Sequence, residues 1–399
     1  MSRPPHAHVR RRGLLAGGAA LFAWPHALPA ASLSGHGGEE RRLLVIILRG
    51  GLDGLAALPA LGDPAHAALR GAMDGARPLD DLFGLNPRLE QLHALYQRGE
   101  ALLLHAVATP YRSRSHFEAQ DMLESGAPVL AGLGRTGWLN RALEYLPRGE
   151  RLPPAPGLAT TATMPLLMRG AAPVETWQPQ SLPLADPDTI ARLLRRYEAG
   201  EPVLAAALRR GAALDANGEG AQARNGVPAA LQAAAFAASL MARANGPRVA
   251  ALSLDGWDTH LAQGFAAGTV AERLGLLDRV VHTLHEGFGA AWAHSAVLIL
   301  TEFGRTVRIN GTAGTDHGTG GAAFLIGGAV RGGRVLADWP GLAPEQLHEG
   351  RDLRPTLDLR ALLKGCLAEH LGLDRRRLDE VVFPDSAGVT PLGGLIRGA

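Results

Sequence analysis

Five short apolar runs, spaced along the whole chain, most constrain what it can fold into. They are residues 42–48, 102–107, 248–254, 296–301 and 323–328. The runs are continuous rather than alternating. That suits strands buried on both faces, as in a parallel sheet. Segments with helical spacing lie between them, at 89–98, 270–288 and 357–371. The last meets Gly372, a residue suited to ending a helix. Strand alternating with helix predicts an α/β fold, a mostly parallel central sheet covered by helices on both faces. The Ala-rich region from about 190 to 244 reads as a helical insertion with a break at 216–228. No repeat of solenoid period is present.

The chain opens differently. Arg11-Arg12-Gly13-Leu14-Leu15 pairs two arginines with two apolar residues, and a mild apolar run follows to Trp24. Ala30, Ala31 and Ser32 then offer small residues for cleavage. A basic start, a short apolar stretch and a small-residue exit read as a twin-arginine signal peptide over residues 1–31. The stretch falls short of the ~20 residues needed to span a bilayer, and no later segment reads as a span. The mature chain is therefore expected as one α/β domain over 40–399, exported folded and periplasmic or secreted. Export in the folded state suits a protein that acquires a metal before crossing.

Charge then bears on partners. The first 31 residues hold four of the 40 basic residues and no acid, which leaves 36 basic against 38 acidic. A nearly balanced mature chain gives no footprint for nucleic acid. The single cysteine, Cys366, cannot form an internal disulfide and reads as a small buried hydrophobe.

In open α/β sheets, ligands bind beyond the carboxyl ends of the strands. The residues at the ends of the apolar runs therefore carry the functional reading. Asp53 follows the first. Tyr111-Arg112-Ser113-Arg114-Ser115-His116 follows the second, and Asp258-Thr259-His260 the third. Glu302-Phe303-Gly304-Arg305 follows the fourth, and Asp316-His317 precedes the fifth. Two carboxylate–imidazole pairs with Asp53 and Glu302 supply the oxygen and nitrogen donors that one or two divalent ions take. The competing reading makes Asp258 and Asp316 caps of turns or helix starts. Ser115 reads either as a nucleophile, with Arg112 and Arg114 holding an anion, or as a helix cap in a capping box with Glu118. No Gly-x-Ser-x-Gly elbow is present, which disfavours an acyl-transfer triad. The glycine-rich 310–321 segment lacks the lysine of a phosphate loop.

Five motifs together carry a family resemblance. They are Leu48-Arg49-Gly50-Gly51-Leu52-Asp53-Gly54, Tyr111 to Phe117, Gly256-Trp257-Asp258-Thr259-His260, Glu302-Phe303-Gly304-Arg305-Thr306 and Gly314-Thr315-Asp316-His317-Gly318. The chain resembles, over nearly all of its mature length, the family called domain of unknown function 1501. That family looks like an exported branch of the alkaline phosphatase and sulfatase superfamily. The resemblance implies an alkaline phosphatase-like fold and ligand roles for Asp53, Asp258, His260, Glu302, Asp316 and His317. It implies that Ser115 attacks or positions water, with His116 beside it, and that Arg112, Arg114 and Arg305 neutralise the transferring group. The sequence departs from the superfamily pattern at two places. Asp258 and His260 stand closer together than usual, and Phe303 follows Glu302 where a histidine is expected. A rival alignment makes Asp316-His317 that Asp-His pair and leaves His348 as a weak candidate for the last histidine.

The function expected on these grounds is an exported, metal-dependent hydrolase of phosphate or sulfate esters. The ion would be zinc, manganese or calcium and the substrate a small anionic ester. The alternative is a non-catalytic periplasmic binding or assembly protein on the same scaffold, working with a second exported protein.

Overall fold

The computed structural model of the chain describes residues 41–129, 134–146, 155–161, 163–179, 187–216 and 228–398. The leader read at 1–31 and most of the break read at 216–228 lie outside these residues. From the start, the elements are β1 (Arg42–Arg49), α1 (Gly54–Ala57), α2 (His66–Arg70), β2 (Arg77–Pro78), β3 (Gly84–Leu85), α3 (Glu90–Gln97) and β4 (Ala101–Ala108). Then come α4 (His116–Ser125), α5 (Trp138–Glu144), β5 (Gly157–Ala159), β6 (Val174–Thr176), α6 (Pro187–Gly200), α7 (Pro202–Ala216) and α8 (Ala229–Met241). The chain continues with β7 (Val249–Asp255), α9 (Thr269–Phe288), β8 (Ser295–Thr301), β9 (Gly321–Ile326), β10 (Arg334–Leu336), β11 (Leu357–Asp358), α10 (Leu359–Leu371) and α11 (Arg375–Arg377).

All five apolar runs form strands of one nine-stranded sheet. Its order is β10-β4-β9-β8-β1-β7-β5-β6, with β11 also paired to β4. β1 lies at the centre and pairs in parallel with β7 on one side and β8 on the other. Alternate residues of β1 feed two cores. Leu44, Ile46 and Leu48 pack with α8 and α9 through Met241, Leu274 and Val281. Leu43, Val45 and Ile47 pack with Trp138 of α5 and with Leu362 and Leu363 of α10. Helices therefore cover both faces, as the continuous runs require.

Two details differ from the sequence reading. β9 runs antiparallel to both of its neighbours, β8 and β4. An apolar run buried on both faces carries no mark of direction, so its reversal was invisible in the pattern. The last helical stretch was also read from 357, but residues 357–358 complete a short strand. The helix starts after Asp358, whose side chain accepts from the Arg360 N–H, and ends at Gly372 in the left-handed conformation.

Two histidines are sealed in this core. His370 on α10 is fully buried and donates Nε2–H to the Arg42 carbonyl at 2.8 Å. His105 on β4 packs against Phe83 and Trp339, with ring centroids 5.7 and 5.1 Å away. Burial pushes each from the usual 6.5 down to about 4. The unfolded chain then binds more protons than the folded one between these values, so stability is full above about 6.5 and falls as the pH drops toward 4. His370→Gln keeps a donor for the Arg42 carbonyl and removes one titration. Urea unfolding at pH 7 and pH 4.5 is expected to show a smaller acid loss in the variant than in the parent. An equal loss in both would contradict it.

Candidate metal centre

The topology brings five chain segments to one edge of the sheet. β1, β7 and β8 are parallel and end together. Past those ends lie Gly50, the Asp258–His260 turn and Glu302. β9 enters from the opposite direction, so His317, just before its first residue, reaches the same edge. The loop after β4 delivers His116 as the first residue of α4. Gly50 permits the close approach. Its φ is +119°, and a Cβ there would lie 2.4 Å from the Asp258 backbone nitrogen.

His116, Asp258 and His317 each present a donor atom within 4.8 Å of the others. His317 Nε2 lies 3.0 Å from His116 Nε2 and 3.1 Å from Asp258 Oδ1. Asp258 Oδ2 lies 3.4 Å from His116 Nε2. His260 adjoins the group, with Nε2 at 2.9 Å from Asp258 Oδ1 and 3.0 Å from His317 Nε2. Bonds of 2.0–2.2 Å to a four-coordinate ion put neighbouring donors about 3.3–3.6 Å apart, somewhat wider than most of the separations here.

The tautomers follow from the other ring nitrogens. His317 Nδ1 faces the Arg114 carbonyl at 3.0 Å, and a carbonyl only accepts, so Nδ1 carries the proton. His116 Nδ1 faces Glu302 Oε1 at 2.9 Å, and His260 Nδ1 faces Asp316 Oδ1 at 3.2 Å. Both carboxyls are held below their usual range. Burial raises Glu302, but its bonds from His116, Gln120 and Gly50 outweigh that. Asp316 is lowered first by its bond from Asn310. In its neutral form each imidazole would have Nδ1–H pinned outward and an Nε2 lone pair turned toward the carboxylate. Such an oxygen or carbonyl behind each ligating imidazole is usual at metal sites. Lone pairs 3.0 Å apart repel unless a cation or a proton stands between them. Without a metal, His116 is the ring that holds such a proton, and a bound cation would displace it. The Glu302 bond raises His116, but burial and the charge of His116 lower His317.

Buried guanidinium groups fix the surrounding carboxylates. Arg305 donates to Asp258 Oδ1 at 2.5 Å, to the Thr315 side chain and carbonyl, and to the Gly50 carbonyl. Burial raises Asp258, but Arg305 brings it below the usual range. Arg70 donates to both oxygens of Asp53, at 2.5 and 2.9 Å. Gln263 donates to Asp53 at 2.6 Å and accepts from Thr259 and Thr315. Asp53 is buried, caps α1 by accepting from Ala56, and is kept ionised by Arg70 against the effect of burial.

Several residues read from the sequence therefore serve differently from expectation. His116, read beside the nucleophile, offers a ligand nitrogen. Glu302, read as a ligand, is buried behind His116. Asp316 stands behind His260. Asp53 lies outside the donor group, with its oxygens taken by Arg70 and Gln263. Ser115 immediately precedes α4, but its side chain makes no cap bond, so the capping box does not form. Glu118 instead accepts from the Tyr111 hydroxyl at 2.5 Å. Arg112 donates to the Thr109 and Tyr111 carbonyls. Arg114 pairs with Glu349 at 2.5 Å and Asp352 at 2.8 Å. These bonds occupy Nη1 of Arg112, and Nε and Nη2 of Arg114. His348 pairs by backbone with Asp352 and is not among the donors. Gln120, Gln263, Thr315 and Arg70 were not read from the sequence. As single polar residues in helices and loops they carry no spacing signal.

Fold and site together define an α/β protein with a histidine–aspartate centre of metal-ligating geometry at the carboxyl edge of its sheet. The chain belongs to the family described as "Protein of unknown function (DUF1501)", whose model matches residues 100–382. No curated protein matches it. Among solved structures, it is similar to the C-terminal periplasmic domain of EcEptC from Escherichia coli. The identity is 13%, the TM-score 0.38, and the match covers 89% of this chain and 87% of that one. It is also similar to murine ectonucleotide pyrophosphatase/phosphodiesterase 5 in complex with AMP, at 10% identity and TM-score 0.34. That match covers 67% of this chain and spans 57% of the murine one. A third is the crystal structure of Ps i-CgsB, at 10% identity and TM-score 0.44, covering 88% and 77%.

Glu302→Gln keeps the shape of the residue behind His116 and removes its charge. Competition against a chromophoric chelator is expected to show zinc or manganese held roughly 10–100-fold more weakly, with an unchanged circular dichroism spectrum. Unaltered affinity would remove Glu302 from its place behind the ligand.

Proposed function

We propose that this protein is an exported, metal-dependent hydrolase of phosphate or sulfate esters. The observation that carries the reading is the convergence of the Nε2 atoms of His116, His260 and His317 on the Asp258 carboxylate, each imidazole fixed from behind. His116, Asp258 and His317 would hold one divalent ion, with His260 beside them as a further donor. Bound there, the ion would polarise an ester oxygen and acidify water. The leader at residues 1–31 would carry the folded, loaded chain through the twin-arginine route to the periplasm.

The remaining work falls to the chain itself. Glu302 and the Arg114 carbonyl keep two imidazoles in the tautomer that leaves Nε2 free. Arg305 keeps Asp258 ionised and oriented. α4 begins at the cluster, so its positive end lies beside a developing anion. Ser115, at that helix start and without a cap bond, supplies the hydroxyl nucleophile or orients a water. The acids nearby already have partners: Asp53 has Arg70, Glu302 has His116, and Asp316 has Asn310 and His260. That favours a single ion over a pair.

The test uses mature chain loaded in turn with zinc, manganese and calcium, assayed on aryl phosphates and aryl sulfates. Turnover with at least one ion is expected. Asp258→Asn is expected to lower kcat/KM at least about 100-fold while the fold is retained. Bound metal with no turnover on either ester class would replace this reading with that of a non-catalytic exported binding protein.

A further inference from the structure

His317 is held at two points by two arginines, and both arginines face one buried carboxylate. His317 Nδ1 donates to the Arg114 carbonyl at 3.0 Å, and the His317 carbonyl accepts from Arg351 Nη2 at 2.6 Å. The carboxylate is that of Asp352. Its Oδ2 accepts from Arg114 Nε at 2.8 Å, and its Oδ1 lies 3.6 Å from Arg351 Nε. The Asp352 side chain is wholly buried, whereas Glu349, the other acid paired with Arg114, is 60% exposed. Water screens the outer pair far more than the inner one.

The backbone fixes Asp352 independently of its side chain. Its N–H donates to the His348 carbonyl at 3.0 Å, and its carbonyl accepts from the His348 N–H at 2.8 Å. It also forms an antiparallel bridge with Thr306, next to the bridge between Arg305 and His317. The carboxylate is therefore a fixed anchor, and Arg114 is the residue that needs one. Arg114 has φ +62°, a left-handed conformation that a non-glycine residue keeps only where its surroundings impose it. In that conformation its carbonyl meets His317 Nδ1.

We infer that Asp352 is a positioning residue of the centre. By anchoring Arg114 and Arg351 it holds His317 with Nδ1–H turned to the Arg114 carbonyl and Nε2 turned to the cluster. Its effect on an ion rests on the metal reading of the cluster; its effect on the His317 ring does not.

The test is Asp352→Asn, which keeps the size of the side chain and removes its charge. Nitrogen NMR on metal-free, histidine-labelled protein reads the His317 tautomer at mildly alkaline pH, with the signals assigned through His317→Gln. Zinc affinity is read by competition against a chromophoric chelator. The parent is expected to show His317 protonated on Nδ1. The variant is expected to show a mixture of both tautomers and to hold zinc about tenfold more weakly. Where Asp352→Asn does not fold, Asp352→Asn with Arg114→Gln neutralises both ends of the buried pair and carries the same readings. A merely structural Asp352 would lower Tm and leave the tautomer alone, so an unchanged tautomer would overturn the inference. Zinc held equally well by parent and variant would overturn it too. A tautomer shift in a chain whose parent takes up no zinc would keep Asp352 in this role and remove the metal reading.

Discussion

Imidazole lone pairs held 3.0 Å apart beside a carboxylate demand a positive charge between them. His116, His260 and His317 each turn Nδ1 to an oxygen behind the ring, which leaves Nε2 to meet a proton or a metal ion. Most of the neighbouring structure is arranged around that demand. Glu302 is buried and ionised to hold one ring, and the Arg114 backbone is turned to φ +62° where its carbonyl holds another. Backbone in that region costs a non-glycine residue of order 1 kcal/mol. The Arg114 side chain is tied down by Glu349 and Asp352.

The scaffold makes this arrangement affordable in geometry as well as charge. Three parallel strands deliver Gly50, Asp258 and Glu302 to one edge, and the reversed β9 delivers His317 from the opposite direction. Had β9 run parallel, His317 would sit at the far end of the sheet, more than a strand length away. Beneath the cluster, two buried guanidiniums absorb carboxylate charge, Arg70 at Asp53 and Arg305 at Asp258. Thr315 and Gln263 link them into one hydrogen-bonded network. Removing Arg70 would leave the buried Asp53 carboxylate without its partner, which is far more costly than losing an exposed pair.

Much of this was legible in the sequence, for identifiable reasons. The five strands were readable because burial on both faces makes apolar runs continuous. The position of the site followed from asking what stands at the strand ends. Asp258, His260 and His317 were found that way. The roles were less legible. Spacing cannot tell a ligand from the residue behind it: Glu302 was read as a ligand and stands behind His116, which was read beside the nucleophile and stands among the donor atoms. Asp53 bears the sequence marks of a ligand, yet Arg70, 17 positions on, takes both its oxygens. Such long-range pairing leaves no local trace. The direction of β9, which decides where His317 falls, leaves none either.

The most direct test is metal content. The protein would be purified without chelators, and its metals counted by elemental analysis beside a His317→Ala variant that retains its fold. The account predicts about one equivalent of a divalent ion per chain, lost in the variant. A parent chain that holds no ion, and takes up none from zinc, manganese or calcium, would contradict it.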